Sequence, residues 1–371
     1  MKTKLLSVLV VAVFAVASCK KNEGDKKKPE PKPTAGKTTE KTPEKTPEVK
    51  KWTGEDTMKK LDETTAAWNA GDWDKFAGFY AENAKMLMVD HQPPMSFDSR
   101  KAMLDGLKEM MPAFSDNKVM PQLVLVNGQN YATIVLGTST NSGDFMGMPA
   151  TNAKLSHYGS GIGRLDDKGM IVEERHLSDQ STFMHQMGMK NPMSPDSETE
   201  WPEAIKVVAT NSETETKNAE MARKSDAAFN AKDMKAIGEM MADDVSFRYV
   251  PRKETVTGKE AYLKGLGEWY GMHETISMTT KEAWGAGDWV VSVVETKGKL
   301  GADIPNFKGT KGKEYTSTHF HFTHVKDGKV KAQWIFDNSL SMMVQVGAVD
   351  MSKMGPGAKG KDAPAKAPAK K

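Results

Sequence analysis

From residue 53 to about residue 110, apolar side chains recur at helical spacing; from residue 119 they alternate instead, and the same change of period returns after residue 212. In the first half, Thr53-Gly54-Glu55-Asp56 has the hydroxyl and acid of a capping box. Met58, Leu61, Thr65 and Trp68 follow at helical steps and stop at a polar Asn-Ala-Gly-Asp break. A second short helix carries Phe76, Phe79 and Tyr80, a short strand spans 85–89, and a third helix spans 100–111. Strands are then predicted near 119–127, 130–140, 154–165 and 169–179. In the second half, Ser212-Glu213-Thr214-Glu215 opens a helix with Ala219, Ala222, Asp226 and Phe229 at the same steps. A strand at 246–250, a helix at 259–270 and strands near 275–284, 288–299, 313–325 and 328–337 complete it. Helices first and an antiparallel sheet later predict an α+β domain in each half, with the helices over one sheet face.

The two halves are copies. Trp68-Asn69-Ala70-Gly71-Asp72-Trp73 matches Phe229-Asn230-Ala231-Lys232-Asp233-Met234, and Asp105-Gly106-Leu107 matches Lys264-Gly265-Leu266. Asn130-Tyr131 matches Asp288-Trp289, and Gln186-Met187-Gly188 matches Gln345-Val346-Gly347. Matches that stay in order at one offset mean a duplication. The expected domains are 51–190 and 212–350, joined by a connector at 191–211 in which Trp201 and Val207-Val208 hint at order.

Composition places the rest. Lys2 and Lys4 precede an apolar run from Leu5 to Ala17, and Val16-Ala17-Ser18-Cys19 resembles a bacterial lipobox, so residues 1–18 read as a lipoprotein signal peptide. Cys19 is the only cysteine of the 371 residues, which excludes an intramolecular disulfide and suits a lipidated N-terminus. Residues 19–50, rich in Lys, Pro, Thr and Glu, and the Lys/Ala/Pro tail at 351–371 have little to bury and read as disordered spacers. The expected location is the cell envelope, lipid-anchored on the outer membrane. Net charge is only +3, so nothing points to nucleic acid.

The order of elements and its punctuation resemble the SnoaL-like polyketide cyclases of the nuclear transport factor 2-like superfamily. The resemblance rests on Asn-Ala-x-Asp after the first helix, Asp327-Gly328-Lys329-Val330, Trp334-Ile335-Phe336-Asp337 and a terminal helix closing in Gln345-Val346-Gly347. It implies cone-shaped α+β barrels with an apolar pocket between curved sheet and helices, no cofactor, and pairing of the domains through their sheets as a pseudo-dimer. It also implies that an aspartate of the last strand, Asp337 or Asp179, is general acid and base with a histidine nearby. Each aspartate also precedes the terminal helix, where it would serve as an N-cap.

The histidines differ between copies. His319 and His321 are two apart on one strand and so share a face, where Asp337 would join them as an acid-base cluster or as part of a metal site. In copy one Ser160 and Ile162 stand at those positions, while His157 lies a little earlier and His176 matches Trp334 or Ile335. Trp334, Tyr249, Trp269, Tyr80 and His157 are expected to line the pockets. Three readings follow: a tethered module binding a small apolar molecule, a cofactor-free cyclase or isomerase, and a copper binder. The third would use Met184, His185, Met187, Met189 and Met193, but the repeat sets Met184 and Met187 against Met343 and Val346, as core positions of a helix. The lipid assignment is directly testable: Cys19→Ser should abolish incorporation of radiolabelled palmitate, and a variant that still takes up label would overturn it.

Overall fold

The computed structural model describes residues 52–90, 94–145, 148–189 and 194–350; the leader, Cys19, the tether, Met193 and the tail lie outside the described residues. The first half runs α1 (Gly54–Asn69), α2 (Trp73–Ala77), β1 (Tyr80–Met88), β2 (Met95–Phe97), α3 (Arg100–Met110), β3 (Phe114–Asn127), β4 (Asn130–Asn141), β5 (Lys154–Leu165), β6 (Ile171–Ser178) and α4 (Gln180–Gln186). A short strand β7 (Ile205–Val208) lies in the connector. The second half repeats the order: α5 (Glu213–Asn230), α6 (Met234–Glu239), β8 (Met241–Tyr249), β9 (Thr255–Thr257), α7 (Lys259–Gly271), β10 (His273–Ala286), β11 (Trp289–Leu300), β12 (Glu314–Lys326), β13 (Lys329–Asp337) and α8 (Ser339–Gln345).

Both sheets have the same topology. One is ordered β2-β1-β6-β5-β4-β3-β7 and the other β9-β8-β13-β12-β11-β10. Neither is wholly antiparallel: β1 runs parallel to β6 and β8 parallel to β13, because each of these strands precedes its sheet's meander and returns beside its last strand. Strand β7 adds a further parallel pair, laying Ile205 to Val208 along Leu123 to Val126. The connector thus contributes to the first sheet, and Lys206 ties it to Asp62 of α1 at 2.6 Å.

The repeated motifs have repeated jobs. Thr53 and Ser212 close reciprocal capping boxes with Asp56 and Glu215. Asn69 clasps the backbone of Val119 through its amide, accepting from N–H and donating to C=O, and Asn230 does the same to Met278. Each thereby satisfies the open edge of a long strand. Asp72 and Asp233 cap the short helices that follow. Gln186 and Gln345 clasp the backbones of Ser156 and Thr316 in the same two-bond manner. Two strands begin earlier than their apolar runs: β1 and β8 start at Tyr80 and Met241, and a register shift absorbs the polar residues that break the alternation.

Burial divides the faces. One cluster draws on both sheets, with Leu123, Leu125, Ala132, Ile134, Leu136 and Leu177 from the first and Val291, Val293, Phe320, Phe322 and Phe336 from the second. Around it, Arg175 forms a two-pronged ion pair with Glu282 at 2.8 and 2.7 Å, and Asn338 donates to the carbonyl of Val89. The opposite faces lie under the helices. In the first domain that space holds one continuous core, including Tyr80, Tyr131, Phe76, Met103 and Leu107, with Trp52, Trp68 and Trp73 packed on it. In the second it holds two clusters, one around Tyr270, Tyr315 and Leu300, the other around Ile237, Met241 and Val245, with Met234 and Leu266 packed against both. In each sheet a glycine lies beneath a tyrosine of the paired strand, Gly163 under Tyr131 and Gly298 under Tyr315; a Cβ at either would sit 2.5 Å from the ring.

Phe320 is fully buried in the shared cluster. Phe320→Ala should lower stability by about 3–5 kcal/mol and, because both sheets use that cluster, should lower one cooperative unfolding transition in urea. Two transitions with only the later one moved would show that the halves unfold independently.

Candidate functional site

The helix-covered face of each sheet carries the polar residues, and strand alternation decides which ones. In the second domain Phe320, Phe322 and Phe336 enter the shared core, so Ser317, His319, His321, Ile335 and Asp337 occupy the other face. Pairing sets them side by side: Ser292 of β11 is opposite His321, and His319 is opposite Asp337. Such pairs on one face are in side-chain contact range. The two imidazoles meet edge-on with ring centroids 5.9 Å apart.

Asp337 is held on both oxygens: the Tyr249 hydroxyl donates to Oδ2, and the Ser339 hydroxyl donates to Oδ1 at 2.6 Å. Burial pushes the Asp337 carboxyl up to about 6, against the lowering effect of the Ser339 bonds. Burial also lowers His319 to about 4 and His321 to about 3, the latter helped by its neighbour, so both are neutral at pH 7. The floor is therefore a carboxylate that titrates near neutrality beside two uncharged imidazoles. Ser317 Oγ and His319 Nε2 are buried there without a hydrogen-bond partner.

The first domain is furnished differently. Gly159 and Gly161 occupy the strand positions of His319 and His321, since Gly161 pairs with His176 as His321 pairs with Ile335. Ser160, expected at one of those positions, is opposite Leu177 instead, one residue out of register, and Ile162 belongs to the shared core. His176 therefore answers to Ile335: the imidazole is supplied by the last strand in one copy and by its neighbour in the other. His157 lies on β5 with its Nδ1 buried and unpartnered; burial lowers it to about 4.

Glu174 was not expected at all. It is buried, accepts from the Tyr80 hydroxyl, and sits 3.2 Å from His176 Nε2. Burial alone would raise its pKa, but the charge and hydrogen bond of His176 and the bond from Tyr80 leave it below the ordinary value. Its signal was available: two residues before His176 on a strand, it must share that histidine's face.

Several expected roles change. Asp179 caps α4, accepting from the Thr182 N–H at 2.9 Å, whereas α8 is capped by Asn338 and not by Asp337. The counterpart of Asp179 is thus Asn338, and Asp337 is free of the capping duty. Asp179 is still unusual: burial lifts it to about 7, opposed by the Thr182 bonds and assisted by the charges of Glu198 and Asp337. Trp334 does not line a pocket. It faces the domain contact, with ring centroids 4.8 Å from Trp201 and 5.5 Å from Tyr158, because 334 shares the parity of Phe336. Tyr80 is core, and Trp269 packs on Phe229, Tyr270 and His273 at one end of the second domain. Met187 is buried like its counterpart Val346, and His185 pairs with Asp196 at 2.9 Å. Among the described residues, no group of three or more His, Cys, Asp or Glu is placed to hold a metal ion. An open groove of about 690 Å³ between α5 and α6, lined by Met221, Ala228 and Met240, is separate from both floors.

A family model described as SnoaL-like polyketide cyclase matches residues 60–187, and one described as SnoaL-like domain matches residues 222–333. The chain belongs to the SnoaL-like family, with one domain in each half. Both SnoaL-like domains have helices packed on a mixed sheet, the nuclear transport factor 2-like α+β architecture. Solved structures similar to it include IdmH from Streptomyces antibioticus, 18% identical, covering 35% of this chain and 98% of its own, with a TM-score of 0.32. TsrD from Streptomyces laurentii is 18% identical over 36% and 97%, with a TM-score of 0.33. An LEH-like epoxide hydrolase from M. tuberculosis is 12% identical over 36% and 92%, with a TM-score of 0.31. A comparison with curated proteins returns no significant match.

The two raised carboxyls fix the sign of the pH dependence. A carboxyl whose folded pKa exceeds its unfolded value stabilises most below the unfolded value and loses that contribution as pH rises through the folded one. For Asp179 the window runs from about 4 to about 7, and for Asp337 from about 4 to about 6. Asp179→Asn keeps a good cap and removes the ionisation, so it should stabilise the tandem SnoaL-like protein above pH 7, by about 4 kcal/mol at most, and be near neutral at pH 4. Urea midpoints at the two pH values test this; equal effects at both would refute it.

Proposed function

We propose that the second SnoaL-like domain is a small-molecule site, with the first domain as its partner and the chain tethered to the cell envelope through Cys19. The observation that carries this reading is the pair of orphaned polar atoms, Ser317 Oγ and His319 Nε2, beside a carboxylate on a helix-covered sheet face. Buried polar atoms are nearly always satisfied, and a ligand satisfies them here. The ligand has an apolar body, matched by Val294 and Ile335, and at least one polar group for Ser317, His319 and Asp337.

The second reading is proton transfer at that site, without a cofactor. It is favoured by Asp337, which burial brings to about 6, near the pKa that suits a general acid or base at neutral pH. Tyr249 and Ser339 would orient the carboxylate; neutral His319 would donate to an oxygen of the substrate. In this arrangement the two domains pair with each other, and the protein is a monomer by mass with the surface of a dimer.

Native mass spectrometry of the chain extracted from its source membrane is the test. A small molecule should co-purify with the wild-type chain and be lost from Ser317→Phe, whose ring would cover the floor. Equal masses for the two chains, after allowing for the substitution, would sink the site.

A further inference from the structure

We propose that the first SnoaL-like domain carries an acid-base centre of its own, in which His176 is the proton-transferring residue and Glu174 positions it. Nothing in the second domain corresponds to it: Gln333 and Ile335 stand where Glu174 and His176 stand.

The geometry is that of a base held from behind. Glu174 and His176 are alternate residues of β6, so both rise from the helix-covered face, and the carboxylate contacts the imidazole at Nε2, 3.2 Å away. Glu174 is itself fixed by the buried Tyr80 hydroxyl, with Tyr131 close by. A carboxylate so anchored sets the tautomer and orientation of its histidine and leaves Nδ1 for a substrate. The exposures are graded to match, with 9% of the Glu174 side chain accessible but 31% of His176.

The surroundings hold the pair closely. Opposite His176 the paired strand presents Gly161, where a Cβ would meet Thr133 Oγ1 at 3.3 Å, Glu174 Oε1 at 3.4 Å and the imidazole at 3.5 Å, and Gly159 lies two residues before it. On the other side Met88 is the paired residue of β1. Further along, Ser178 donates to Asp90, which also accepts from Gln180, and His157 Nδ1 remains unpartnered. This combination of an apolar side, a glycine floor and a polar end fits a small, flat carbon acid. The C–H to be broken would be adjacent to a carbonyl or another electron sink, and the polar end would take the oxygen.

The charge balance is favourable. Burial pulls His176 down, but the charge and hydrogen bond of Glu174, with a contribution from Asp90, leave it above its ordinary value. The anchored carboxylate thus strengthens the imidazole as a base. In the step itself, Nδ1 takes the proton, and the C–H electron pair moves into the adjacent sink. The proton is later returned, so no oxidant or second reactant is needed.

A generic probe isolates this centre. In 5-nitrobenzisoxazole a base removes the C3 proton, the C–H pair forms the nitrile, and the N–O bond breaks to release 2-cyano-4-nitrophenolate, which is coloured. In the full chain bearing Asp337→Asn, which silences the other carboxylate, a rate above buffer is expected, and adding His176→Gln should reduce it at least about tenfold. Glu174→Gln should keep the base but move the pH-rate limb to lower pH, which a merely structural role would not do. No rate in Asp337→Asn, or a rate indifferent to His176→Gln, overturns the proposal while leaving the second-domain reading to its own test. Should His176→Gln fail to fold, diethyl pyrocarbonate on the Asp337→Asn chain answers the same question. Inactivation must then track carbethoxylation of His176 by mass spectrometry; inactivation tracking another histidine would refute it.

Discussion

The shared apolar core between the two sheets is the constraint on which everything else depends. A curved sheet with helices on one face leaves the other face unsatisfied, and each copy solves the problem with its twin: Ile134 and Leu136 from one meet Phe320 and Phe322 from the other in a single cluster. Once that face is committed, strand alternation assigns the rest. Alternate residues of β5, β6, β12 and β13, among them Tyr158, Ile162, Leu177, Phe320, Phe322 and Phe336, join that core, and the residues between them are left to carry chemistry. The phenylalanines at 320 and 322 are therefore what place His319 and His321 under the helices.

The same constraint relaxes what lies beneath the helices, and there the copies diverged. Both keep an imidazole over the middle of the sheet, but on opposite sides of one strand pair: His321 against Ile335 in the second domain, Gly161 against His176 in the first. Moving the bulk from one strand to the next conserves volume while changing the company. His176 gains Glu174 behind it, whereas His321 gains only His319 and Ser292. Glu174, two residues away, pushes one histidine towards the charged state, whereas burial, helped by His319, holds the other far from it.

Much of this was legible in the residues, and the legible parts share a cause. The duplication, the capping boxes, the Asn-Ala-x-Asp break and the Gln-x-Gly close all reflect backbone groups that must be satisfied locally, and such demands leave short, repeatable motifs. The α+β class followed from the change of period. What escaped were matters of parity and register. Pairing Asp179 with Asp337 places both by residue type, whereas the cap is made by the first residue after the strand, which is Asp179 in one copy and Asn338 in the other. Trp334 is expected to line a pocket, and one step of parity puts it against Trp201 instead. Parallel pairing of β1 with β6 is a property of chain return, which no local pattern encodes.

The connector shows how the tandem arrangement differs from two chains meeting. Residues 205–208 extend the first sheet by a strand that the second sheet lacks, and Glu198 forms a buried ion pair with Arg248 of the second domain while its backbone is bonded to Ser156 of the first. Trp334 then packs against both Trp201 and Tyr158, at the seam. A symmetric dimer would have to accept such features twice or not at all. Here they occur once, and asymmetry at the seam frees each domain from having to remain the image of the other. That freedom is what the Glu174–His176 pair and the Asp337 floor express: one scaffold, paired once, whose two interiors no longer answer to the same requirement.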